Sequence, residues 1–291
     1  MAERKVFKIS DEQIKQMYLN GNSLSDIAKV AQDTKGLMAL KKRLNDLGVN
    51  TSYSTTRKSL YRKKLSIAFK KYRLSHTKFD IIDTEEKAYW LGWYMTDGYN
   101  HESKSSVALR LQGRDIEILE KLKSFLETDV PIYTFHRKDS RGVAREYAEL
   151  NICSVHMSKT LASYGVIQNK MHNKSIPNLP TSLVKHFLRG YFDGDGCFSV
   201  TSRKDRRNGE SLTYQIAFTG NKEPLLYIKN FIAEQLQLGD RVLSKPQHLS
   251  YTLHYGGRNI CYKILDWIYQ DATIYLKRKH DKYLQYRISA E

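Results

Sequence analysis

Cysteine is scarce in this 291-residue chain: Cys153, Cys197 and Cys261 are odd in number, far apart, and form no CxxC pair. That excludes a disulfide-stapled scaffold and a thiolate zinc site, and it fits a reducing, intracellular compartment. The nine histidines show no HExxH spacing, so the zinc-hydrolase motif is missing as well. No apolar run approaches the about 18 residues of a membrane span, and the opening MAERKVFKIS has no apolar signal-peptide core. Neither a membrane nor a secreted location is expected; the expected place is the cytoplasm or nucleoid of a bacterial or phage-infected host, or an organelle. Acid is also in short supply. The 31 Asp and Glu against 48 Lys and Arg leave a net charge of +17 and a pI near 9.6. Such an excess argues against a metabolic enzyme with small neutral substrates and points to a polyphosphate partner, nucleic acid first.

The hydrophobic fraction of 41% is enough to fill real cores over two or three domains. Residues 8–50 carry apolar positions at helical spacing, with Ile14, Met17 and Tyr18, then Leu24, Ile27 and Ala28, then Leu37, Leu40, Leu44 and Leu47. Three short helices follow, the second capped by Ser23 or Ser25. The stretch resembles the helix-turn-helix of small DNA-binding domains, which would put Lys35, Lys41, Lys42 and Arg43 on or beside a groove-reading helix. Residues 51–80 hold Arg57, Lys58, Arg62, Lys63 and Lys64, and no acid occurs between Leu47 and Phe79. Self-repulsion favours an extended or helical course along a phosphate backbone.

From Ile81 the texture becomes helices interleaved with alternating strands, and the order then recurs, which makes an internal duplication the simplest account. The expected parts are residues 81–178 and 179–291. Apolar positions Leu119, Leu122, Phe125 and Leu126 match Leu225, Ile228, Phe231 and Ile232, and each helix follows a strand ending in glycine, Gly113 or Gly220. At the head of each copy stands a helix with a glycine mid-way, AYWLGWYMTDGYN (88–100) with Gly92 and HFLRGYFDGDGCF (186–198) with Gly190. A mid-helix glycine costs about 1 kcal/mol relative to alanine, a loss that close contact between two helix backbones would offset. Trp90, Leu91, Tyr94, Leu188 and Phe192 would fill the flanks of that contact. Each segment ends in Asp-Gly, and Gly98 and Gly196 suit the left-handed position that stops a helix. Asp97 and Asp195 would face the negative ends of two helix dipoles and each other, an arrangement relieved by divalent cations. Magnesium suits carboxylates, backbone carbonyls and phosphate oxygens. Metal between carboxylates beside DNA implies phosphodiester hydrolysis.

These segments, WLGWYMTDG at 90–98 and LRGYFDGDG at 188–196, resemble the paired motif of the LAGLIDADG homing endonucleases, with likeness extending over about 81–285. Met95 stands where the family has its earlier acidic residue, a divergence that falls where the chemistry makes least demand. The resemblance implies an α+β fold, a pseudo-two-fold duplicated αββαββα saddle with two central motif helices, here preceded by the three-helix domain. It implies a staggered double-strand cut across the minor groove of a long asymmetric DNA site by a monomer. Two or three Mg2+ ions would serve, with Mn2+ as a substitute. Catalysis would fall to Asp97 and Asp195, with Lys170 and Lys279 near the scissile phosphates. The metal ligands would be Asp97 and Asp195, with the backbone of Gly98 and Gly196 as further candidates. The family often has a glutamine at the strand end nearest the metals, where this chain has Gly113 and Gly220, with Gln112 one residue earlier.

Four strands per copy would present a polar face to the major groove. Arg110, Gln112, Ser199, Thr201, Arg203, Thr213 and Gln215 are candidate base readers, and His136, Arg137 and Lys138 stand at a hairpin tip. Alternative readings on the same scaffold are a maturase holding its own intron RNA and a DNA-binding regulator. Met1 at the start and Ala290-Glu291 at the end do not fit an intein.

Overall fold

A computed structural model of the chain describes residues 9–20, 22, 24–31, 36–49, 51, 72–138, 142–168, 177–205, 209–244 and 250–288. It divides into two compact units, Met1–Tyr72 and Arg73–Glu291. No described helix is long and apolar enough to cross a membrane.

Among the described residues the first unit holds three short helices, α1 (Asp11–Leu19), α2 (Leu24–Val30) and α3 (Leu37–Asp46). Ser10 opens α1 with a reciprocal cap, its Oγ accepting from Gln13 N–H at 3.2 Å while its own N–H donates to Gln13 Oε1 at 2.9 Å. Gly48, at φ +75°, closes α3: its N–H donates to Asn45 O and that of Val49 to Leu44 O, both at 2.9 Å. Ile14, Ile27, Leu40, Leu44 and Val49 form the core. Ser25 lies inside α2 and so cannot cap it, and Ser23 lies outside the described residues.

The second unit runs α4 (Glu85–Thr96), β1 (Gly98–His101), β2 (Ser106–Gln112), α5 (Ile116–Phe125), β3 (Tyr133–Lys138), β4 (Ala144–Cys153) and α6 (Val155–Ser163). There follow α7 (Thr181–Asp195), β5 (Gly196–Asp205), β6 (Gly209–Gly220), α8 (Lys222–Leu236), β7 (Tyr251–Gly256), α9 (Arg258–Tyr269) and α10 (Lys277–Ile288). The architecture is α+β, with one antiparallel sheet ordered β1-β2-β4-β3 and another ordered β5-β6-β7. Of the fourth strand expected in the second copy, the described residues show one bridge, Leu243 to Leu253. Residues Gly98–His101 form a strand too short for its alternation to show in sequence.

Alternation explains the faces of the sheets. Val107, Leu109 and Leu111 point into the core from β2 while Arg110 is exposed, and Ile216 and Phe218 point inward from β6 while Gln215 is exposed. One continuous core joins these faces to α4 and α7. Every α4 residue from Ala88 to Thr96 is buried, as expected of a helix apolar all round.

Candidate functional site

The site grows from the contact between α4 and α7. A methyl group on Gly190 would overlap the carbonyl oxygen of Tyr89 and lie 2.9 Å from its carbonyl carbon, and one on Gly92 would lie 2.6 Å from the backbone nitrogen of Tyr191. The two backbones therefore touch, and only hydrogen fits between them. At the far end a methyl group on Gly194 would overlap the Thr96 hydroxyl and stand 3.0 Å from Asp97 Oδ2. The contact thus carries through to the helix ends, where the Asp97 carboxylate lies against the residue before Asp195. Asp97 caps α4 and is half-buried; Asp195 ends α7 and is exposed.

Gly98 and Gly196 do not adopt the left-handed turn expected of them. Neither has a positive φ, and Gly196 is extended at φ −83°, ψ 158°, because each opens a strand directly behind its helix. Their need for glycine is one of space: a methyl group would lie 2.6 Å from Tyr94 Cδ1 at Gly98 and 2.7 Å from Phe192 Cα at Gly196. The main chain therefore passes from buried helix to open sheet at each aspartate without a left-handed residue.

Lys279 reaches this point from α10. Its Nζ donates to Phe192 O at 2.6 Å, Gly194 O at 3.2 Å and Gly196 O at 2.6 Å. A cation here satisfies carbonyls left open at a helix C-terminus and opposes the dipole. Burial pushes the ammonium down to about 8 while Asp193 pulls it back up; Asp97 also lies within its electrostatic reach. Because Gly196 O already accepts from Lys279, it is less free than a candidate metal ligand should be. Lys170 lies outside the described residues.

Several groups that organise the site escaped the sequence reading. Asp193 is fully buried, its Oδ2 accepting from Leu276 N–H at 2.7 Å and Tyr89 OH at 2.9 Å and its Oδ1 from Tyr269 OH at 3.1 Å. Burial pushes its carboxyl up while Lys279 and these donors pull it down. Arg189, also fully buried, donates to Ile274 O at 2.8 Å, Ile268 O at 2.9 Å, His186 Nδ1 at 3.0 Å and Glu85 Oε1 at 2.5 Å. Glu85 Oε1 also accepts from Thr273 N–H at 2.9 Å, so one ion pair ties the start of α4 to α7 and to the segment before α10. The available signal was two charges, Arg189 and Asp193, inside a helix otherwise apolar on the same turns.

The candidate nucleic-acid contacts fall on several surfaces. Ser199, Thr201, Thr213 and Gln215 share the open face of the second sheet, where Ser199 stands opposite Gln215 and Thr201 opposite Thr213. Gln215 pairs with His254 at 3.0 Å. In the first sheet Arg110 donates to Glu149 at 2.7 Å and lies over the Phe135 ring, and Gln112 is half-buried. On β3, Arg137 shares the face of Arg110, whereas His136 and Lys138 occupy the other; all three are exposed. Lys41 and Lys42 are exposed on α3, and Arg43 donates to Asp11 through Nε at 2.9 Å. Arg57, Lys58, Arg62, Lys63, Lys64, Lys35 and the side chain of Arg203 lie outside the described residues. Among the described residues no three His, Cys, Asp or Glu side chains gather as a metal cage.

Residues 182–261 match the family model described as LAGLIDADG-like domain. Among solved structures, the I-LtrWI LAGLIDADG homing endonuclease bound to target DNA is similar over 71% of this chain and 92% of its own, at 13% identity and a TM-score of 0.50. The I-SmaMI LAGLIDADG homing endonuclease bound to cleaved DNA is similar over 70% and 87%, at 13% identity and a TM-score of 0.46. At these identities the likeness is one of fold. A 99-residue stretch is 28% identical to the probable translation initiation factor IF-2 of Methanocaldococcus jannaschii, covering 33% of this chain and 8% of that protein. The chain therefore spans less than a tenth of that curated relative.

Proposed function

We propose that the chain, which carries a LAGLIDADG-like domain at residues 182–261 and shares the fold of a LAGLIDADG homing endonuclease, belongs with that family and is a site-specific DNA endonuclease. The observation that carries the reading is the meeting of two helix ends, where close backbone contact brings Asp97 against Gly194 and hence beside Asp195. Two carboxylates at the negative ends of two helices are poorly placed for stability, which supports a role in holding positive charge.

The donor set fits hard divalent cations: two carboxylates at the helix ends leave most coordination positions to water and phosphate oxygens, as Mg2+ prefers. When bound, such cations supply Lewis-acid stabilisation of the phosphodiester and activation of water. Asp97 and Asp195 would hold them. The Lys279 ammonium, fixed among carbonyls on both sides of Asp195, would meet the negative charge that develops on the phosphate. One aspartate from each copy would serve each strand, giving a staggered double-strand cut in a long asymmetric site by a monomer.

Hydroxyl and amide side chains on the open face of the second sheet suit base edges in the major groove. The three-helix unit, with Lys41 and Lys42 exposed on α3, would add a second DNA contact. The test is to incubate the purified chain with a plasmid library and Mg2+, select linearised molecules and sequence their ends. One recurrent site with cohesive ends is the expected result; no linearisation with Mg2+ or Mn2+ overturns the reading.

A further inference from the structure

The position matching Met95 in the second copy is Asp193, and its surroundings show more than packing. Leu276, whose N–H donates to Asp193 at 2.7 Å, immediately precedes α10. Its carbonyl in turn accepts from the backbone of Lys279 at 3.0 Å and of His280 at 3.1 Å. The buried carboxylate is thus fixed to the residue on which the first turn of α10 is built. From that turn the Lys279 side chain reaches back to the carbonyls of Phe192, Gly194 and Gly196.

Stability alone does not account for a carboxylate in this place. Well-packed apolar residues are often as stable as buried charges or more so, and an apolar residue serves at Met95 in the other copy. A thioether is a weak acceptor that could not hold an N–H in the same way. What the carboxylate adds is a fixed location for one backbone group and, through it, for one lysine.

We propose that Asp193 is a positioning residue which, by holding the start of α10, sets the Lys279 ammonium beside Asp195 and so governs cutting in that half of the molecule. Asp193 is buried and touches no DNA; it acts through Lys279. The inference rests on the endonuclease reading, but its geometric content can be tested separately.

The experiment compares the full chain with Asp193→Ala, which removes the acceptor, Asp193→Asn, which keeps one, and Tyr269→Phe, which removes a different hydrogen bond of the same carboxylate. Single-turnover cutting is followed on each strand across DNA concentrations, and acetylation of Lys279 is mapped by mass spectrometry without DNA or metal. For Asp193→Ala, one strand is expected to be cut about 10- to 100-fold more slowly, the range for losing an outer partner of a functional group. The loss should fall in kcat and not in KM, the other strand should change by less than about threefold, and nicked circles should accumulate. Lys279 should be acetylated faster. Asp193→Asn should restore both readouts, and Tyr269→Phe should leave both near wild type.

Equal slowing of both strands with unchanged Lys279 acetylation overturns the proposal and leaves Asp193 a packing residue. Should Asp193→Ala fail to fold, Asp193→Met takes its place, the residue that the other copy carries at Met95, since a thioether accepts too weakly to hold the Leu276 N–H. If the wild-type chain cuts nothing, the endonuclease reading fails, and the acetylation map still decides whether Asp193 positions Lys279.

Discussion

Gly190 lies so close to Tyr89 that a single added carbon would overlap the Tyr89 carbonyl oxygen. Gly92 meets the other helix in the same way, so the pair fixes how near α4 and α7 approach and hence where their terminal aspartates stand. Gly190→Ala should gain about 1 kcal/mol of helix propensity and lose more to overpacking, which costs about 1–3 kcal/mol and more where backbone blocks relief. A net destabilisation of about 2 kcal/mol is expected in urea unfolding, with the midpoint lowered and the slope unchanged. A midpoint at or above wild type would show that the helices do not pack through this glycine.

The aspartates should be separable from binding. Asp97→Asn and Asp195→Asn keep the shape of each side chain and remove its charge, so target affinity measured by anisotropy should stay within about threefold, while double-strand cutting falls below detection, as when members of a catalytic unit are lost. A variant that still cuts both strands would remove that aspartate from the chemistry. Because one aspartate from each copy would serve each strand, the two single variants are also expected to leave different strands nicked when assayed at high enzyme.

Much of this was legible in the sequence for physical reasons. The Gly-and-Asp-Gly pattern of residues 88–100 and 186–198 announced two matched helices because glycine in a helix interior and carboxylates at its C-terminus are each unfavourable alone. Strand faces followed from alternation, as at Val107, Leu109 and Leu111. What was hidden depended on tertiary contacts. No helix was expected over residues 277–288, yet they form α10, since Tyr283 packs into the core and Lys279 is held by carbonyls from α7 and β5. The Arg189–Glu85 pair joins residues far apart in the chain, and no local pattern reports it. Gly98 and Gly196 were expected in a left-handed turn, whereas what requires glycine there is close packing.

The same buried pair gives the fold a pH dependence through His186, whose imidazole burial and then Arg189 push down to about 4. The unfolded chain takes up this proton near 6.5, so between 6.5 and about 4 the unfolded state binds more protons and acid favours it. Stability from this group is present above 6.5 and lost as pH falls toward 4, by about 3 kcal/mol at most. Glu85, held below its ordinary range despite burial by Thr273 N–H and Arg189, adds loss in the same direction at lower pH, whereas Asp193, pushed up by burial, opposes it. His186→Asn can still accept from Arg189 and carries no titrating ring. It should therefore flatten the decline in melting temperature between pH 6.5 and 4.5; a curve parallel to wild type would show that His186 is not the buried neutral group.

The three-helix unit makes a separate, electrostatic prediction. Lys41 and Lys42 are exposed on α3, whereas Arg43 is engaged with Asp11 on α1. If α3 lies on DNA, the two lysines release counterions on binding, and each phosphate contact contributes about 0.9 to the slope of log affinity against log salt. Lys41→Ala with Lys42→Ala should reduce that slope by about 2 and weaken binding at about 0.1 M salt, while the rate of cutting at saturating DNA stays unchanged. Arg43→Ala should do less to the slope and more to stability, because its loss leaves Asp11 without the guanidinium that holds its carboxyl below the ordinary range. An unchanged slope in the double-lysine variant would take α3 off the DNA.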